Sequence, residues 1–395
     1  MRCAVRIGLL PAWRLMRAGA RIQIAVFGAV WLTAAPTAAQ SGGVESLPVP
    51  LEEPKKSRGE FSFDVALWGH HDDNILELSD QNIAIFDSGD YSPDRFLINS
   101  VGDFITSLSG RARWAGKPWA RHETRVAVAA EANWYADNPI KNYQTYALFL
   151  SQELTASRKH LSVLRLTVSH TPEYYLQQLT DDDASFNAGR RIRESVTYRQ
   201  TYYRLAYDQT LIEDRFDARL AVQYQRRDYN QFFPERDNRR DTVALTLGGR
   251  PFAHNRFSIE ATAGLGRLLA RGNLDWTPWV DDNISYDVSM LGLNASIPWR
   301  GKRGGRVELE ADREIRTYTT TNKFDTSHYE RVDHRLTWSA GVVQKLPADL
   351  EFFANFENET NDTQFPRLVI APNDTTSFVS NRIAVGLRWR TSIGR

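Results

Sequence analysis

Two short stretches carry the densest groups of side chains that could bind a metal ion: residues 70–73 (HHDD) and residues 181–183 (DDD). Carboxylate oxygens suit Ca²⁺, but neither stretch has the regular ligand spacing of a calcium-binding loop. Residues of these types are also common at solvated loop tips, which is the interpretation that the spacing favours. The sequence therefore predicts no metal site and no cofactor.

Hydrolysis would need a nucleophile, or an activated water molecule, beside a matched base. The histidines that could serve as the base are scattered, at His170, His254, His328 and His334, and no Gly-x-Ser-x-Gly motif occurs. Phosphate-binding loops, Cys/His metal-ligand spacings and basic nucleic-acid patches are also missing from the sequence. We therefore expect a protein that is not an enzyme and binds no nucleic acid, with a hydrolase as the least favoured alternative.

Charged side chains instead recur in alternation with apolar ones. In residues 216–228 (FDARLAVQYQRRD), apolar side chains occupy every second position from Phe216 to Tyr224. A period of two puts the two sets on opposite faces of a β-strand, whereas on a helix the same apolar residues would scatter around the axis. Repetition of this pattern behind a secretion signal predicts a transmembrane β-barrel.

We predict fourteen such strands, joined by long and short connections in alternation. Outer-membrane barrels have long extracellular loops and short periplasmic turns, and an even strand number returns the chain to the periplasm. The second and fourth segments are less regular than the others, so the count is open by two. The predicted strands are 60–69, 95–109, 123–135, 143–155, 161–171, 195–208, 216–228, 240–250, 256–269, 284–298, 305–316, 331–344, 349–358 and 379–391.

The charged positions of these strands would line the lumen of the barrel. Both signs are present, so cross-strand pairing that stabilises the wall is the favoured role, and a polar conduit without selectivity for one sign of ion is the functional alternative. Fourteen strands predict a narrow or plugged pore. The candidate lumen residues are Arg125, Arg165, Arg204, Arg215, Arg219, Arg256, Arg306, Arg335, Arg382, Arg388, Glu131, Asp208, Asp217, Glu260, Glu308, Glu310, Asp312, Glu314, Asp333, Glu351 and Glu357.

The N-terminus has the parts of a secretion signal. Five arginines precede or begin an apolar stretch, residues 22–33, and small residues up to Ala39 offer a cleavage site; an uncleaved anchor is the alternative. Removing residues 1–39 would take away five arginines, no acidic residue and Cys3, the only cysteine, and would change the formal net charge from +1 to −4. We predict a flexible periplasmic leader at 40–58 and the barrel at 59–395.

Composition is compatible with this assignment. No run of about 20 apolar residues follows the signal, which excludes a multi-helix membrane protein. A mean hydropathy of −0.46 fits a barrel, because half of each strand faces a polar lumen. A large soluble all-β domain would show the same alternation. Opposed Arg and Glu/Asp on the polar faces, and Trp134, Trp338 and Trp389 at strand ends, favour the membrane.

Three stretches resemble known barrels. Residues 382–391 (RIAVGLRWRT) resemble the terminal signal strand that the outer-membrane assembly machinery reads. Residues 69–75 (GHHDDNI) and 224–242 (YQRRDYNQFFPERDNRRDT) resemble motifs of porin-like families, which include barrels from exopolysaccharide gene clusters and the fourteen-stranded barrel of surface lipoprotein assembly modifiers. The resemblance implies a barrel in the outer membrane of a Gram-negative bacterium.

The sequence supports two main functional hypotheses. The first is a channel or export pore for hydrophilic solutes or polysaccharide. The second is a barrel that binds, or helps to assemble, secreted surface proteins such as a surface lipoprotein. The partners expected in either case are outer-membrane lipid and the barrel assembly machinery, and a barrel hydrolase is less favoured.

Overall fold

The computed structural model of the chain describes residues 59–89, 96–119, 122–155, 160–181, 192–213, 215–251, 257–273, 283–299, 304–323, 325, 327–365 and 376–394. The predicted signal peptide (1–39) and leader (40–58) lie outside these residues. All the described residues belong to the segment that the sequence assigns to the barrel.

The described residues form fourteen strands that close into one barrel. Each strand pairs antiparallel with its neighbours in sequence, and β1 closes the ring against β14, with Glu60 opposite Gly394 and Asp72 opposite Arg382. This confirms the predicted all-β, antiparallel up-and-down barrel. The strands are β1 (Glu60–Asp72), β2 (Asp103–Trp119), β3 (His122–Tyr135), β4 (Tyr143–Glu153), β5 (Ser162–Asp181), β6 (Ile192–Ile212), β7 (Phe216–Tyr229), β8 (Asn238–Gly249), β9 (Ser258–Ala270), β10 (Tyr286–Trp299), β11 (Gly305–Tyr318), β12 (Val332–Lys345), β13 (Leu350–Gln364) and β14 (Phe378–Gly394).

The outer wall of the barrel is apolar and uncovered. Leu220 of β7, Leu245 of β8 and Leu265 of β9 are 50%, 44% and 68% exposed. A soluble sandwich would bury such side chains between two sheets, but a closed barrel has no second sheet to cover them. Lipid is the solvent that suits this wall, and closure satisfies the backbone hydrogen bonds inside it. The barrel therefore spans the outer membrane, and the soluble alternative is wrong.

A row of charged side chains marks one edge of the apolar band. The register places Asp241 of β8 opposite Arg267 of β9, and Arg267 opposite Asp287 of β10. Arg267 Nε donates to Asp287 Oδ1 at 2.5 Å, and both side chains are about half exposed. The row lies towards the end of the barrel that carries the connection 73–102, so the hydrocarbon of the bilayer ends below it on these strands.

The second strand begins later than predicted, at Asp103 rather than at residue 95. Ile98 belongs to a buried apolar cluster with Ile75, Leu78 and Ile105, and Phe96 packs against that cluster. These residues fit the alternating pattern by position, but they fill the end of the barrel instead of facing lipid. Apolar spacing alone does not distinguish the two environments.

A helix that the sequence did not predict lies within the connection 73–102. Helix α1 spans Asp80–Ser88; Ser79 Oγ accepts a hydrogen bond from Asn82 N at its start, and Gly89 ends it at a φ of 64°. Serine before the first turn and glycine after the last are the residues that these positions favour. No helix among the described residues is long and apolar enough to cross a bilayer.

Strands β5 and β6 extend well beyond the predicted 161–171 and 195–208. The register between them shifts at Thr171/Tyr174 and at Tyr175/Gln177. Bulges of this kind reset the period of two, so the alternation breaks although the pairing continues.

Arginine at the middle of the lipid-facing wall should destabilise the barrel. We expect Leu245→Arg to lower the free energy of unfolding by about 2–4 kcal/mol, because a guanidinium would enter the centre of the hydrocarbon. Guanidinium-chloride unfolding in phosphatidylcholine vesicles measures this effect.

Leu211→Arg is the matched control, because Leu211 is also an exposed leucine but lies near the end of β6. Leu211→Arg should lower the free energy of unfolding by only about 0–1 kcal/mol. Equal costs at the two positions would contradict the placement of the band in lipid.

Candidate functional site: the barrel interior

The inner wall changes character along the barrel axis. In the half beside the connection 73–102, which we call the mouth, inward side chains such as Asp72, Glu131 and Arg335 are buried. In the half beside the short turns, which we call the vestibule, Glu260 and Glu310 are exposed although the alternation of their strands points them inward. Other inward residues of this half, such as Arg111 and Arg388, are buried. The described residues therefore enclose a water-accessible vestibule beneath a packed mouth.

The first long connection folds back into the mouth. Asn74 is 2% exposed, and its side-chain Nδ2 donates to the carbonyl oxygens of Leu78 at 2.8 Å and Val379 at 3.0 Å. Its Oδ1 accepts from Leu78 N at 2.8 Å. Because Val379 lies on β14, one buried amide both closes the turn 74–78 and ties it to the barrel wall.

Two cationic side chains hold this turn from opposite sides. Lys141 Nζ, from the connection after β3, donates to the carbonyl oxygen of Ile75 at 2.8 Å. Arg335 of β12 donates to Glu77 Oε1 at 3.0 Å and also contacts Glu359. Since β12 and β3 lie on different sides of β1, the turn bridges two sectors of the inner wall.

Arg382 links three strands beside the same turn. Its Nε donates to Asp72 Oδ2 on β1, and its Nη1 donates to Glu357 Oε1 on β13, both at 2.8 Å. Ser380 Oγ donates to Asp72 Oδ1 at 3.0 Å. Asp72, assigned by sequence to a loop tip, is thus an inward residue of β1 and a structural acceptor.

A second buried pair spans the mouth from β8 to β11. Arg240 Nη2 lies 2.7 Å from Glu314 Oε2, across the intervening strands β9 and β10. The small residues Gly264 and Gly266 of β9 leave the necessary room, since a Cβ on Gly264 would meet Met290 Cε at 2.8 Å. Side chains from strands that are not neighbours thus meet inside the barrel, which fills this part of the mouth.

Ion pairs in the vestibule are more exposed. Arg165 of β5 and Arg219 of β7 both contact Asp208 of β6. Arg306 and Glu308 pair along β11 at 2.6 Å. These pairs connect adjacent strands or the same strand, so they stabilise the wall without crossing the lumen.

The predicted lumen residues fall into three groups. Arg215 lies in the turn before β7 with an exposed side chain, because the strand pattern does not extend into the turn, so it is not part of the strand wall. Arg256 lies outside the described residues. The strand alternation directs inward Arg125, Glu131, Arg165, Arg204, Asp208, Asp217, Arg219, Glu260, Arg306, Glu308, Glu310, Asp312, Glu314, Asp333, Arg335, Glu351, Glu357, Arg382 and Arg388.

The predicted set omits two inward arginines of β2, Arg111 and Arg113. The prediction ended that strand at residue 109, before either of them. Exposed Phe104 and Leu108 alternate with buried Ser107, and the same alternation continued past residue 109 would have found both arginines.

Among the described residues, the histidines considered as catalytic bases are not assembled into a site, and Asp182 and Asp183 lie outside these residues. His328 Nδ1 lies 2.9 Å from Asp325 Oδ1, and its ring stacks on Tyr318 at 5.3 Å. His170 Nδ1 lies 3.0 Å from Thr201 Oγ1, and His254 is outside the described residues. Within the described ranges, no group of three or more His, Cys, Asp or Glu side chains is placed to hold a metal ion.

Comparisons with known proteins do not assign the chain to a family. No protein-family model matches the chain, and no curated protein matches it. An anion-selective porin from Comamonas acidovorans is 11% identical with a TM-score of 0.38, and the match covers 85% of this chain and 100% of the porin. A bacterial polysaccharide outer membrane secretin is 12% identical with a TM-score of 0.40, covering 83% of this chain and 98% of the other. These values are too low to assign a family or a function.

Lys141 has an unusual environment for a lysine. It is buried, and its ammonium lies 5.9 Å from the ring centre of Tyr135 and 5.2 Å from that of Tyr174. Burial lowers the pKa of Lys141 from 10.5 to about 8, Glu77 and Asp72 oppose the shift, and Arg382 adds to it. The ammonium is therefore costly to bury below about pH 8, although its hydrogen bond to Ile75 stabilises the turn.

This shift predicts a defined pH dependence. Between pH 8 and pH 10.5 the unfolded chain binds more protons at Lys141 than the folded chain does, so stability should rise with pH there. We expect the free energy of unfolding to rise by about 1.5 kcal/mol from this residue between about pH 8 and pH 9.5.

The measurement compares wild type with Lys141→Met, which keeps an unbranched side chain of similar length but has no titrating group. The difference in unfolding free energy between the two proteins should change in favour of wild type as the pH rises. A difference that is constant across the window would show that the ammonium is not held in the buried state described.

Proposed function

We propose that the protein is an outer-membrane channel for small hydrophilic solutes, narrowed at its mouth by the turn 74–78. The observation that carries the proposal is the contrast between the two halves of the interior. Exposed carboxylates, such as Glu260 and Glu310, line a wet vestibule, whereas the mouth is occupied by a turn that polar contacts hold in place. A purely structural barrel has no need of a water-accessible interior.

Two polar contacts that hold the turn are of a kind that can be exchanged for water, whereas the packing of Ile75 and Leu78 against Ile98 and Ile105 would have to be released when the turn leaves. Glu77 accepts a charge-assisted hydrogen bond from Arg335, and the carbonyl oxygen of Ile75 accepts one from Lys141. Each contact of this kind contributes about 1.5–3 kcal/mol. Undocking of the turn would open a route from the vestibule to the far end of the barrel.

The cargo we propose is small. Polysaccharide export, or passage of a segment of a surface lipoprotein, would need a wide passage. The described inner wall of the mouth is buried from Asp72 on β1 to Glu314 on β11, so displacement of the turn alone frees a limited space.

Single-channel recording in planar bilayers tests the proposal. Wild type should give resolved current steps. Glu77→Gln should open at least about tenfold more often, because it weakens the contact of the turn with Arg335 while Glu359 still pairs with that arginine.

Glu173→Gln is the control, since Glu173 is an exposed glutamate that lies on the same half of β5 as the mouth. It should behave as wild type. Absence of current from wild type and from Glu77→Gln, in protein that shows heat-modifiable mobility on a gel, would remove the channel proposal.

A further inference from the structure

We propose that the vestibule contains an anion-binding site, formed by Arg111, Arg113, Arg388 and Arg390, that takes a carboxylate or phosphate group of a solute. The inference rests on the proposed function in one respect, since it names the class of solute that the channel would select. Binding itself can be measured without transport.

Strand pairing gathers the four arginines on one patch of the inner wall. Asp64 of β1 lies opposite Arg111 of β2 on one side and opposite Arg390 of β14 on the other. On β2, Arg113 is two residues from Arg111 and lies opposite Ser62 of β1. On β14, Arg388 is two residues from Arg390 and lies opposite Ala66 of β1. The central strand thus contributes one acid and two small residues, and the flanking strands contribute the cations.

The patch carries more positive than negative charge. Asp64 and Glu351 contact the four guanidinium groups, and Glu60 lies near enough to Arg113 to attract it. Two of the contacts are loose: Arg113 lies 3.8 Å from Asp64, and Arg388 lies 3.6 Å from Glu351. Only Arg390 makes a close bond to Asp64, at 2.5 Å. Arg113 and Arg388 are close enough to Arg111 to repel it electrostatically. An added anion would relieve this repulsion.

Arg111 supplies the second observation. It is 9% exposed, and its Nε and Nη2 have no hydrogen-bond partner among the described residues. Buried guanidinium donors are normally paired, and an unpaired one needs an explanation, of which a bound ion is one. Arg240 in the mouth also has an unpaired Nε, but its Nη2 lies 2.7 Å from Glu314 Oε2, whereas no carboxylate is that close to Arg111 among the described contacts.

Aromatic rings hold two of the guanidinium groups in a favourable position. Arg111 lies 4.8 Å from the ring centre of Phe149, and Arg388 lies 5.6 Å from that of Phe353. A ring can occupy one face of a guanidinium while leaving the N–H groups at its edge free to bond. Edge N–H groups match the two oxygens of a carboxylate or phosphate. The rings therefore restrain the cations without using their donors.

The positive charge of the vestibule is concentrated at the arginine patch and is not spread evenly around the wall. Another sector of the vestibule, separated from β14 by β13 and β12, carries Glu260 on β9 and Glu308 and Glu310 on β11, with Glu308 paired to Arg306. An anion entering the vestibule would be repelled from that wall and attracted to the arginine patch, which gives it one place to bind. A lumen with evenly mixed charges would offer no such position.

Isothermal titration of the detergent-solubilised full chain tests the site with two probes, inorganic phosphate and succinate. Wild type should bind at least one of them. Arg111→Gln should weaken the affinity about tenfold or more, the effect of losing a charge-assisted hydrogen bond. Binding of phosphate but not succinate, or the reverse, would identify which oxyanion the patch accepts.

Two further variants keep the test decisive if Arg111→Gln does not fold. Phe149→Leu removes the ring without changing the charge and should weaken binding severalfold. Asp64→Asn removes the competing carboxylate and should strengthen binding. Arg313→Gln is the control for loss of a positive charge outside the patch, because Arg313 is exposed on the outward face of β11. The affinity of this variant for the probes should equal that of wild type.

Failure of this inference is distinguishable from failure of the channel. No heat of binding for either probe, or equal loss of affinity in Arg111→Gln and Arg313→Gln, would overturn the anion site while leaving single-channel currents untouched. Binding with the predicted variant order in a protein that passes no current would leave the site in place and remove the channel.

Discussion

Closure of the hydrogen-bonded ring is the constraint on which the rest of the structure depends. Inside a bilayer no water is present to pair with backbone N–H and C=O groups, so every strand needs two partners and the last must meet the first. The β1–β14 pairing supplies that closure over thirteen residue pairs. Once the ring is closed, each residue has only two possible directions, and apolar and charged side chains separate into an outer and an inner wall.

The same closure creates a problem inside the barrel. Charged side chains directed inward lose bulk water wherever the lumen is narrow, and an unpaired buried charge is costly. The mouth solves this by bringing together groups that are distant in sequence, such as Arg240 with Glu314 and Arg335 with Glu77. The turn 74–78 is part of that solution, because it supplies a carboxylate and a carbonyl oxygen to cations of the wall.

The sequence predicts the outer wall of the barrel better than the contacts inside it. The outer wall has one requirement, contact with lipid, and a period of two in the sequence follows from it directly. Thirteen of the fourteen strands therefore begin within three residues of their predicted starts, although β5, β6 and β13 extend beyond their predicted ends. Strand β2 was misplaced because Phe96 and Ile98 are apolar for another reason, packing in the mouth. Partners across the lumen obey no local period. Nothing near Arg240 indicates that its acceptor lies 74 residues away, and Arg215 shows that residues next to a strand need not follow its alternation.

The difference between mouth and vestibule carries the functional argument. Unpaired buried donors occur at both ends, because the Nε atoms of Arg240 and Arg335 in the mouth also have no hydrogen-bond partner among the described residues. The two ends therefore differ in exposure and in local charge balance rather than in completeness of pairing. In the mouth, Glu314 and Asp72 accept close bonds from the arginines beside them. In the vestibule, Arg111 keeps two buried donors unpaired beside other cations. Excess positive charge of this kind lowers the stability of the barrel unless an anion compensates it. In a water-accessible vestibule, that anion can be a solute from outside the chain. In the function we propose, the turn that restricts one end of that chamber would determine whether a bound solute passes through or returns.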